Sequence, residues 1–172
     1  MSIWTRIFKI AFQICRETKL QSFQYQIIHR IIPCNKWLKD KKIKDSSVCN
    51  FCNKSDDLQH FFLFCPKTHA FRNFWANWWK NLTNFNIKNH NNLEECIIFG
   101  FPDNSDNTKV LNHCILLAKY HIYIQKLKGN DNIDMYAYLT YLKQQLSIEK
   151  EICMNERKQR KFDKYLFIYE LL

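Results

Sequence analysis

Two glycines and three prolines in 172 residues leave the chain with few conformational stop signals, so each one carries weight in placing the end of an element. Long apolar runs are also missing. Stretches such as Phe61 to Cys65 and Cys114 to Ala118 stop far short of the roughly 20 residues a membrane span requires, so no membrane association is expected. The first fifteen residues, MSIWTRIFKIAFQIC, are apolar, but Arg6 and Lys9 interrupt any signal-peptide core and no small-residue cleavage site follows. The expectation is a soluble intracellular protein, nuclear or cytoplasmic, whose thiols are reduced. No internal repeat or low-complexity tract is evident. A chain of this length typically buries roughly 70% of its extended surface, enough for one domain, or for a core with a small metal-stapled subdomain, without disulfides.

Acidic residues are the remaining deficit, 16 against 26 lysines and arginines, for a formal charge of +10. Such an excess favours polyanions through counterion release and electrostatic steering. Charge alone does not name the polyanion, because a composition rich in Lys, Asn and Ile also follows from AT-biased coding.

What is present is mostly helical periodicity. Trp4, Ile7, Phe8, Ala11 and Cys15 form one apolar stripe, and Leu20, Phe23, Ile27 and Ile31 form a second that ends at Pro33. These predict two helices, or one bent near Thr18. Trp37, Leu38 and Ile43 then sit among five lysines in CNKWLKDKKIKD, a short amphipathic element with a basic outer face. Pro66 suits the first turn of a helix on which Phe71, Phe74, Trp75, Trp78 and Leu82 trace one face, leaving Trp79 outside. From Asn81 to Lys109 the chain turns to Asn, Asp and Lys around the apolar island CIIFGF, which predicts a long connection with one short strand or turn. Leu111, Ile115, Ala118 and Ile122 mark a further helix over Val110 to Lys128, with Gly129 as its stop. A last helix is expected to start at an Asp134 cap and carry Met135, Leu139, Leu142 and Leu146, then fray through EKEICMNERKQRKFDK. The fold class is therefore mostly α, with a small Cys3His zinc-knuckle-like subdomain inserted between helices.

That subdomain rests on Cys49-x2-Cys52-x7-His60-x4-Cys65. Two cysteines separated by two residues present both sulfurs to one ion from a tight turn, and His60 and Cys65 complete a set of four. A filled set leaves no open position for water, so the expected cofactor is one structural zinc ion, replacing a core that so short a segment cannot build. Ordinary buried cysteines are the competing reading, but Cys49 and Cys52 lie in a polar stretch where burial gains little. His69 is an alternative ligand in place of His60 or Cys65. Cys15, Cys34, Cys96, Cys114 and Cys153 fall on apolar faces and read as core. His29, His113 and His121 have no partner at ligand spacing and read as surface or packing residues.

The stretch ETKLQSFQYQIIHRIIPCNKWLKDKKIKDSSVCNFCNKSDDLQHFFLFCPKTHAFRNFWANWW resembles the zinc-binding region that follows the polymerase domain in reverse transcriptases of non-LTR, LINE-type retrotransposons. The shared marks are the Pro33 turn, the basic segment, Cys49 and Cys52, His60-Phe61, Cys65-Pro66 and the aromatic helix through Trp75 to Trp79. IIFGF and LNHCILLAKYHIYIQK are similar to the tail of the same elements, so the resemblance covers roughly residues 17 to 150. It implies an accessory role beside an upstream polymerase domain of the same element, holding template RNA or target DNA, with RNA and/or DNA as partners. The catalytic aromatic-x-Asp-Asp turn is missing from this sequence. Its Asp-Asp pair, Asp56-Asp57, follows Lys54-Ser55 inside the metal loop and reads as solvated, so no enzyme activity is expected and the chain reads as a piece of a larger polymerase. A nuclease motif opening at Pro102-Asp103 finds an acidic-x-Lys partner only at Glu156-Arg157-Lys158, too far along to serve. A zinc-stabilised protein-interaction module is the alternative function.

Three segments are expected: 1–47, N-terminal helices and the basic segment; 48–82, the metal segment and aromatic helix; 83–172, the C-terminal linker and helices. Candidate nucleic-acid contacts are Lys36, Lys39, Lys41, Lys42 and Lys44, with Lys54 on the metal loop and Arg157, Lys158, Arg160 and Lys161 as a second patch. Trp37 can stack on a base, worth roughly 1–3 kcal/mol, or pack beneath the loop.

Overall fold

A computed structural model describes residues 3–130 and 132–172. The chain is mostly α: α1 (Ile3–Ile14), α2 (Thr18–Ile28), α3 (Asn35–Asp40), a π-turn (His60–Phe64), α4 (Pro66–Thr83), α5 (Leu93–Phe99), α6 (Asp106–Leu127), α7 (Met135–Asn155) and α8 (Leu166–Tyr169). Short 3-10 turns at Ile87–Asn89, Gln159–Lys161 and Asp163–Tyr165 link them. Among the described residues the only extended pairing is one isolated antiparallel bridge between Val48 and Ser55.

The architecture is organised around α6. From Val110 to Ile122 every residue of this helix is buried, so it runs through the core rather than along it. Sequence periodicity gave α6 one apolar face; helices packed around it cover the others, with α1, α2 and α7 its principal neighbours. Most of its polar positions find partners within the interior, His121 Nε2 being buried without one. Asn112 accepts from the Phe101 backbone N–H at 2.8 Å and donates to the Phe101 carbonyl at 2.9 Å. His113 Nδ1 lies 3.0 Å from the Tyr165 hydroxyl, and burial pushes its pKa down to about 4. His121 sits among the rings of Phe71, Tyr138 and Tyr141, its pKa likewise lowered by burial.

Several element ends follow from local chemistry. Pro66 occupies the first turn of α4, and the Asp134 side chain accepts from the Tyr136 N–H at 2.9 Å to cap α7. Gly129 takes a positive φ of 76° just beyond α6.

Other expectations are corrected. The buried face of α1 is Ile7, Ile10, Ala11 and Ile14, while Trp4 and Phe8 point outward. α2 stops at Ile28, well before Pro33; Arg30 reverses the chain at φ 55°, and Ile32 rather than Ile31 enters the core. On α4 the buried set is Phe71, Trp75, Ala76 and Trp79, with Phe74 exposed and Trp78 half-buried. CIIFGF is no strand: Cys96 to Phe99 form the last turns of α5, whose first turn carries Glu94 and Glu95, where the helix dipole favours negative charge. The tail does not fray after α7. Arg157 turns the chain at φ 54°, and Phe162, Tyr165 and Ile168 pack back into the core.

Candidate metal centre

Val48 and Ser55 pair across a tight turn that carries the first two cysteines. The Cys49 N–H donates to the Lys54 carbonyl at 2.7 Å and the Asn53 N–H to the Cys49 carbonyl at 3.1 Å. Closing the turn needs a left-handed residue, and Asn53 supplies it at φ 57°, a conformation asparagine tolerates well.

The second pair comes from a change of helical pitch. In an α-helix of 3.6 residues per turn, side chains five apart point about 140° away from one another. Here the Cys65 N–H reaches back to the His60 carbonyl at 2.8 Å, an i→i+5 bond that brings residue 65 over residue 60. Asp57 Oδ1 accepts the His60 N–H at 2.8 Å and fixes where this turn begins. Pro66 forces Cys65 out of helical geometry, to φ −64° and ψ 123°, which separates the π-turn from α4.

The four donor atoms converge, all lying within 4.8 Å of one another. Cys49 Sγ is 4.0 Å from Cys65 Sγ and Cys52 Sγ is 3.3 Å from His60 Nε2. A tetrahedral ion with metal–sulfur bonds of about 2.3 Å and metal–nitrogen bonds of about 2.0 Å sets these edges at about 3.8 and 3.5 Å. The cluster fits that shape and is far from disulfide distance. Burial pushes the Cys49 thiol up to about 11, with nearby Lys126 opposing the rise. Burial and Lys126 together lower the His60 pKa, which keeps the imidazole in its neutral, ligating form. These four residues can hold a metal ion. His69 stands apart, exposed on α4 beside Asn73. Cys15, Cys34, Cys96, Cys114 and Cys153 are buried outside the cluster, as expected of core residues.

Asp56 overturns its sequence reading. It is buried, and its Oδ1 pairs with Lys126 Nζ at 3.2 Å, both side chains about 5% exposed. Lys126 also lies 3.8 Å from the centre of the Phe61 ring. Asp56 Oδ2 accepts the Asn35 N–H at 3.1 Å, and its carbonyl accepts the Lys36 N–H at 3.1 Å. The Asn35 side chain adds a bond to the Val48 carbonyl at 2.7 Å. The loop is thus tied to α3 on one side and to α6 on the other. The spacing signal could not find Lys126, which stands 70 residues from Asp56.

Lys36, Lys39, Lys41, Lys42, Lys44 and Lys54 are exposed, the first five on α3 and the turn that follows. Lys44 Nζ donates to Asn35 Oδ1 at 3.0 Å. Arg157, Lys158, Arg160 and Lys161 are exposed beyond the end of α7, with Lys158 2.9 Å from Glu156. Trp37 is half-buried against the core and lines a groove of about 550 Å³. Arg30 and Lys36 meet four acids there, Asp40, Asp57, Glu94 and Glu95.

No family model, curated protein or solved structure matches the chain.

Proposed function

We propose that the chain is a zinc-stapled, nucleic-acid-binding accessory region of a retroelement reverse transcriptase. It carries no catalytic centre of its own and helps an upstream polymerase domain hold template RNA or target DNA. The observation that carries this reading is the fastening of the lysine-bearing segment to the metal loop. Asn35 and Lys36 of α3 both donate backbone N–H groups to Asp56, four residues before the His60 ligand, so the ion fixes how five lysines are presented. Three thiols and one imidazole form a closed, borderline-soft donor set suited to structural zinc. The charge of +10 supplies attraction to phosphates, and the resemblance to the non-LTR elements supplies their identity. Because acids outnumber bases in the Trp37 groove, phosphates follow the exposed outer face of α3 and not the groove.

A protein-interaction role is favoured by one feature, the exposed stripe of Trp4, Phe8 and Phe12 at helical spacing on α1. Filter binding to single-stranded RNA and DNA over a salt series separates the two. Each phosphate contact contributes about −0.7 to the slope of log K against log salt on a single strand. Replacing Lys39, Lys41 and Lys42 together by Glu is expected to weaken RNA binding and flatten that slope by about 2, with metal content unchanged. A slope near zero for the native chain would remove nucleic acid from the function.

A further inference from the structure

Between α4, the π-turn, α5 and α6 lies a cavity of about 290 Å³. Its wall is apolar, with Phe62, Phe71, Trp75, Ala76, Ile97 and Ile115 on it, yet Arg72 and Lys119 also line it. Neither cation has a carboxylate partner among the described residues. Lys119, 4% exposed, donates from Nζ to Gln24 Oε1 at 2.7 Å and the Ile98 carbonyl at 2.9 Å. Both acceptors are neutral, and one of its three protons is unused. Arg72 donates only through Nη1, to Thr68 Oγ1 at 2.7 Å and the Phe62 carbonyl at 3.3 Å, leaving Nη2 and Nε with no protein acceptor. Burial lowers the pKa of both groups, that of Lys119 to about 7. Lys88 and Glu94, both exposed, offset each other elsewhere on the lining.

Lys119 is buried without a counter-charge, which is unfavourable, and half-buried Arg72 has only the Cys65 sulfur as an opposing charge, so an anion beside them relieves that cost. The volume lies at the lower edge of the roughly 300–1,000 Å³ common for ligand pockets, which limits the occupant to a small molecule. We propose that this cavity binds a monocarboxylate with a medium-length hydrocarbon body. The carboxylate meets Arg72 and Lys119, and the chain lies along Trp75 and Ile97. The guanidinium fork suits a carboxylate in particular, since its unused N–H groups present two parallel donors. This site is independent of the nucleic-acid reading.

Titrating sodium octanoate into the metal-loaded full chain, followed by calorimetry and tryptophan fluorescence, tests it. The expected result is one site per chain, with 1-octanol at least tenfold weaker because it lacks the charge. Ala76→Leu, which fills the cavity, is expected to abolish binding with an unchanged circular dichroism spectrum, and Lys119→Met to weaken it at least tenfold. If Lys119→Met does not fold, the alcohol comparison and Ala76→Leu decide the matter. Absence of any octanoate signal, equal affinity for octanoate and octanol, or unimpaired binding by Ala76→Leu would each overturn the proposal.

Discussion

Cys52 and Cys114 are both reduced cysteines, yet their surroundings assign them opposite roles. Cys52 is half-buried with its sulfur 3.3 Å from His60 Nε2, whereas Cys114 lies inside α6 with its thiol pushed far above the usual range by burial. Cys52→Ser is therefore expected to abolish stoichiometric zinc in elemental analysis of the purified chain, and Cys114→Ser to leave it intact. Lys126 acts at the same scale. Lys126→Met strands the buried Asp56 carboxylate, a loss of about 3–5 kcal/mol that urea denaturation would register. The four converging donor residues were legible from spacing because they fall within one short segment. The Asp56–Lys126 pair was not, because nothing local in a lysine seventy residues away announces its destination. Trp79 escaped for a related reason: the packing of α4 rotates its buried arc by about one position, and Trp79 takes the interior place expected of Trp78.

Among elements, helix ends were readable wherever a residue type forces the backbone, as at Pro66, Asp134 and Gly129. α5 was harder, since the short apolar island from Cys96 has no periodicity long enough to separate helix from strand. Its decisive signal is Gly100, which ends the helix at φ 99°. A Cβ there would stand 2.9 Å from Ile10 Cδ1, against α1. Gly100→Ala is expected to cost about 1–3 kcal/mol, mostly from the backbone conformation, because the flexible tip of Ile10 can move aside. A calorimetric melt would show this as a drop of roughly 2–4 °C per kcal/mol for a chain of this size. The return of the tail was hidden by the charged run before it. Phe162, Tyr165 and Ile168 recur every three residues and mark the buried side once the chain is seen to fold back.

For the molecule as a whole, the mostly helical class followed from periodicity, but the central position of α6 did not. A helix buried on all sides shows little amphipathic contrast, and its polar residues look solvent-facing until their partners are known. Lys119 gives this burial a measurable consequence. Its pKa is held near 7 in the fold, below its ordinary value of 10.5, so above pH 7 the unfolded chain retains a proton that the native chain has released. Stability contributed by this group accordingly rises between pH 7 and 10.5, by up to about 1.4 kcal/mol per pH unit, and the cost of its charge is fully present below pH 7. Lys119→Met should flatten the dependence in that window and gain most under acidic conditions, as read from denaturation midpoints across pH.

The carboxylate of Asp56 grips the basic helix with one oxygen and the central helix with the other, in a loop whose own shape an ion can lock. Removing an ion held there would slacken the lysine-bearing arm first, and would then loosen the adjoining edge of the interior, because Phe61, Phe62 and Leu63 stand between two of the four donor residues and pack in the core.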